Sequence, residues 1–77
     1  MNEREFFKDM IDVYIESQIQ YTKNELELCG TSKSMLNTLS YLESITDNQK
    51  ETIIEKLLND DELFNKIDET IHYYLYH

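Results

Sequence analysis

Apolar residues recur along the first third of the chain in steps of three and four: Phe7, Ile11, Ile15, Ile19, Leu26 and Cys29, with Thr22 filling the one polar step. A polar stripe of Asp9, Asp12, Glu16, Gln20, Lys23 and Glu27 runs opposite at the same interval. That interval is the period of an amphipathic helix with one face turned inward. It predicts a helix from about Glu3 to Leu28, ~39 Å long at 1.5 Å per residue. Acids early in the segment suit the positive end of the helix. Gly30 stands just past its end, where glycine adopts a left-handed turn without strain. Cys29 lies on the apolar stripe and is expected to be a small core residue.

The remaining chain shows shorter versions of the pattern. Gly30-Thr31-Ser32-Lys33-Ser34 reads as a turn in which Thr31 or Ser32 caps the next helix. That helix carries Met35, Leu36, Leu39, Leu42 and Ile45. Thr46 and Gln49 have the spacing of a reciprocal capping box. They open a helix that buries Ile53, Ile54, Leu57 and Leu58. Asn59-Asp60-Asp61-Glu62 reads as a second stop and restart, with Asn59 and Glu62 at the same spacing. A last helix then shows Leu63, Phe64, Ile67, Ile71, Tyr74 and Leu75. There is one glycine and no proline, and no stretch alternates with a period of two, so no strand is predicted. The fold expected is all-α: a small bundle of three to four helices with a long N-terminal helix, residues 1–77 forming one helical domain. Whether the last two helices are separate or one bent helix stays open at this point.

Charge narrows the partners. The 77 residues carry a net charge of -9. Residues 1–40 contribute -3 and residues 41–77 contribute -6. Nucleic acid and anionic membrane both need clustered Lys and Arg, so neither is an expected partner. A protein with a basic surface is. The single cysteine excludes an intrachain disulfide and suits a reducing interior. The mixed-sign N-terminus predicts no leader, and no run nears the ~20 apolar residues of a membrane span. The expected location is the cytoplasm.

Candidate chemistry is sparse. His72 and His77 are five residues apart, a poor spacing for one helical face, and a zinc site wants three or four ligands. Asp60-Asp61-Glu62 lacks the spaced oxygens and central glycine of a calcium loop. Ser32, Ser34 and Cys29 have no base nearby in sequence. No catalytic, metal-binding or cofactor-binding residues are therefore expected, and the protein reads as a non-enzyme. The hairpin around Gly30 resembles that of small sporulation phosphatases, whose second helix bears Ser-Gln-Glu-Leu-Asp. The comparable stretch here is Ser40-Tyr41-Leu42-Glu43-Ser44. The aspartate is missing, so the chemistry does not carry over.

Six tyrosines remain. Tyr73 and Tyr76 step away from the apolar stripe of the last helix. Tyrosines that leave a core face yet cluster are typical of interfaces. With the acids Asp60, Asp61, Glu62, Asp68 and Glu69 they form the expected partner-binding surface. The function expected is that of a small acidic protein-binding module, a regulator or inhibitor of phage or mobile-element type, such as a defence-system inhibitor, antitoxin or immunity protein. Two alternatives stand beside it. One is a homo-oligomeric, for instance dimeric, structural protein. The other is a small phosphatase-like enzyme.

Overall fold

Helix boundaries in this chain are set by hydrogen bonds between residues two or three apart. The computed structural model describes residues 2–76, and α1 (Glu3–Cys29), α2 (Lys33–Glu43), α3 (Asp47–Asn59), α4 (Asp61–Phe64) and α5 (Ile67–Tyr76) account for most of them. Asn2 caps α1, accepting from the Glu5 amide at 2.8 Å. Ser32 caps α2 through the Met35 amide. Thr46 and Gln49 form the reciprocal capping box of α3. Each supplies a partner for helix-end amides that have none within the helix.

The fourth boundary differs from the expected one. Asn59 is still helical, so its side chain is not placed to cap. Asp60, extended at φ -145°, accepts from the Glu62 amide instead. The single turn α4 follows, then a tight turn in which the Lys66 amide bonds Leu63 O at 3.1 Å. The expected last helix is thereby divided into α4 and α5. The Thr70 hydroxyl donates back to Leu63 O and ties the two pieces together.

The core is a three-helix seam. Phe7, Ile11 and Ile15 of α1 meet Ile53, Ile54 and Leu57 of α3 and Ile71 and Leu75 of α5. Phe64 lies against Phe6 and Phe7, and His72 against Tyr14, so α5 runs alongside α1 in the same sense. Three ion pairs fasten α3 to α1. Arg4 forks to Glu51 and Glu55. Lys50 meets Asp12 Oδ1 at 2.9 Å, as a contact of charge without hydrogen-bond alignment. No helix among the described residues is long and apolar enough to cross a membrane.

The core occupies only part of α1. Its far half carries α2, folded back through the Gly30 hairpin, and Leu42 is the one fully buried residue of α2. Thr22 is buried there, its hydroxyl bonded to Gln18 O at 2.8 Å. The molecule measures 41 × 23 × 21 Å, and its long dimension is the length of α1.

Two expectations at this hairpin are corrected. Cys29 is exposed, not core. The apolar stripe reaches the end of α1 where α2 is only beginning, so nothing covers the thiol, and it hydrogen-bonds the Glu25 carboxylate. That carboxylate is the main cause that raises the thiol above its ordinary range. Gly30 has a positive φ of 84° but ψ of 173°, so it is extended and not left-handed helical. That region is almost closed to side-chain-bearing residues. A Cβ there would meet nothing, so backbone strain alone demands glycine.

Two substitutions test the assignment. Gln49→Ala should lower stability by about 0.5–1 kcal/mol through loss of the capping box, read from denaturant unfolding. Ile15→Asp should abolish cooperative unfolding by placing an unpaired charge in the core. A full melting transition for Ile15→Asp would show the face assignment of α1 to be wrong.

Candidate partner-binding surfaces

Six of the seven residues expected to bind a partner divide between two surfaces, and Tyr76 belongs to neither. Asp68 and Glu69 occupy the exposed first turn of α5, where acids favour the helix dipole. One turn on, Tyr73 and His72 rise beside them. With Tyr14 of α1 these residues line a shallow depression of about 430 Å³. The Tyr14 hydroxyl and His72 Nδ1 share a 2.6 Å hydrogen bond that holds the imidazole against α1. Tyr73 packs edge-on against Tyr74, with centroids 5.0 Å apart. Among the described residues neither Asp68 nor Glu69 is in an ion pair.

Tyr76 lies apart from this group. It is half-buried in the seam between α2 and α5, 4.8 Å from the His72 ring and 5.9 Å from the Tyr41 ring. Beside it the Tyr41 hydroxyl donates to Leu75 O and fastens the end of α2 to the end of α5. Tyr76 therefore helps close the fold and shows only an edge to solvent. His77 falls outside the described residues.

Asp60, Asp61 and Glu62 sit at the opposite end of the molecule. Asp60 is committed to its cap. Asp61 lines a second depression with Asn2, Glu3, Phe6, Phe7, Leu57, Phe64 and Asn65. This groove of about 650 Å³ is the larger one. Its floor is a three-ring cluster, Phe6, Phe7 and Phe64, with centroids 5.8–6.2 Å apart. Phe6 and Phe64 stay 38 % and 48 % exposed. Sequence reasoning placed Phe64 on the core stripe and missed the groove. Its signal was the aromatic pair Phe6-Phe7, one ring of which must point away from the core stripe.

The described residues hold no group of three or more His, Cys, Asp and Glu that could hold a metal ion. The surfaces present carboxylates beside aromatic faces on α5, and an aromatic groove with an acidic rim at α4. The chain matches no protein-family model, no curated protein and no solved structure with which it was compared.

The tyrosine cluster carries a pH dependence. Burial raises Tyr14 above the ordinary phenol range, and Tyr76 and Asp68 add to it. Burial raises Tyr76 as well, with Tyr41 adding. A raised folded-state value means the stabilisation is complete below the unfolded phenol value of about 10 and is lost as pH rises through the folded value. The melting temperature should therefore fall above about pH 10. Joint substitution Tyr14→Phe and Tyr76→Phe should flatten that fall. An unchanged slope in the double variant would assign the alkaline loss to other groups.

Proposed function

We propose that the chain is a non-enzymatic protein-binding module that takes a basic segment of a partner protein on the α5 surface. The observation that carries this reading is the convergence of Asp68, Glu69 and Tyr73 on one depression with His72 and Tyr14. A guanidinium matches both features. It forks to a carboxylate through paired hydrogen bonds, and it stacks on a tyrosine face. The net charge of -9 attracts a basic partner to the chain as a whole. Docking of this kind blocks a basic surface without chemistry, which is how a small regulator or inhibitor acts. The free, exposed Cys29 suits a reducing compartment such as the cytoplasm.

The test is an NMR titration of the whole chain with an arginine-rich peptide of about ten residues, long enough to span the patch extended. Amide shifts should centre on residues 68–73, and affinity should fall as salt is added. Joint substitution Asp68→Asn and Glu69→Gln should weaken binding roughly tenfold, as expected for losing a charge-assisted pair. Shifts spread evenly over the acidic surface, or binding indifferent to the double substitution, would defeat this reading.

A further inference from the structure

Helix α1 has a second, uncharged and largely hydrophobic stripe that is exposed from Val13 onward. Phe6, Met10, Val13, Ser17, Tyr21, Asn24 and Leu28 follow one another at steps of four, three, four, four, three and four. At 100° per residue they fall within an arc of roughly 80°. None carries a charge. Four of its five hydrophobic members are exposed, Phe6 38 %, Val13 61 %, Tyr21 63 % and Leu28 81 %, while Met10 leans on the core. The mean step of ~3.7 is close to that of a straight helix, so the stripe stays on one side without supercoiling.

The order of steps reads the same in both directions. A second copy turned end for end about Ser17 therefore lays Phe6 against Leu28, Met10 against Asn24, Val13 against Tyr21 and Ser17 against itself. No charged side chain falls within the stripe at any level, and the two pairs with rings, Phe6–Leu28 and Val13–Tyr21, are hydrophobic. The most exposed apolar side chain, Leu28, arrives at Phe6, where the groove floored by Phe6, Phe7 and Phe64 opens. A protruding residue and a hole for it thus stand at opposite ends of one face, as an isologous contact requires.

We propose that this face binds a second copy of the chain, forming an antiparallel α1–α1 dimer with its two-fold axis at Ser17 and Leu28 seated in the aromatic groove. The surface is separate from the α5 patch and does not depend on that reading. A helix ~40 Å long and ~11 Å wide covers about 450 Å² per copy, or about 900 Å² in all, just under the ~1,000 Å² of a stable interface and in the range of weak, transient ones. The dimer is accordingly reversible. Its flank sets the salt response. Asp9, Glu16 and Glu27 lie on one side of the stripe with Lys23. The two-fold brings Asp9 near Lys23 of the other copy, but it also sets Glu16 beside its own counterpart. Each copy carries -9. Added salt therefore strengthens this dimer, whereas it weakens capture of a basic partner.

Sedimentation equilibrium of the whole chain tests the proposal. A monomer–dimer equilibrium is expected, tightening severalfold between low salt and about 0.5 M salt. Glu16→Gln should tighten it further. Leu28→Glu and Val13→Glu should each abolish it with helicity unchanged, because both positions lie outside the core. The register is read by mixing Val13→Cys chains with Tyr21→Cys chains, both carrying Cys29→Ser, under mild oxidation. Disulfides linking the two kinds of chain are expected. A strict monomer at high micromolar concentration, a dimer indifferent to Leu28→Glu and Val13→Glu, or disulfides only between like chains would overturn the proposal.

Discussion

Ile11, Ile53, Ile54 and Ile71 are the side chains most completely sealed from solvent, and their contact is the constraint on which the other features depend. One comes from α1, two from α3 and one from α5, so they join the three helices at a single place. Branched side chains have few rotamers to lose and pack in one way. A chain of this size buries only ~60 % of its extended surface, so it has little redundancy. Everything outside the seam is attached to it. The fork of Arg4 holds α3 at the start of α1, Tyr14 and His72 hold α5 along it, and Tyr41 fastens α2 to the far end of α5.

The helices were legible because their signals are local. The stripes of α1 and α3 need only a period, and the Thr46–Gln49 box needs only a spacing of three residues. The cap at Asp60 was misplaced by one residue, because two neighbouring side chains both have capping chemistry and only backbone geometry chooses between them. Cys29 followed the period faithfully and still ended in solvent, since a period gives direction but not coverage. The candidate surfaces were less legible. Tyr14 and His72 are 58 residues apart, and Phe6 meets Phe64 across a similar gap. Asp68, Glu69 and Tyr73 were found because they lie within one and a half turns of the same helix. The second stripe of α1 was hidden because Val13, Tyr21 and Leu28 are interleaved with Glu16, Gln20 and Lys23, which dominate a hydrophobic count.

The acidic charge is also less uniform than its total suggests. Glu51 and Glu55 are spent on Arg4, Asp12 on Lys50 and Asp60 on its cap. Such surface pairs add little stability individually. Their effect is to assign these carboxylates a place, whereas Asp68 and Glu69 are exposed and, among the described residues, in no ion pair. Glu51 and Glu55 of α3 are thus drawn into contacts with α1, while the carboxylates of α5 face solvent.

The short connector between α3 and α5 has a geometric meaning beyond its cap. Both its ends are held, one by Asp60 on Glu62 and the other by Thr70 on Leu63. Its length therefore sets the angle at which α5 begins. One residue more or fewer would turn α5 by about 100° about its own axis. Ile71 would leave the isoleucine seam, and the carboxylates at 68 and 69 would rotate to another bearing. Six residues with no fully buried member, from Asp61 to Lys66, thus act as the key that selects which side of the last helix the molecule shows to the outside.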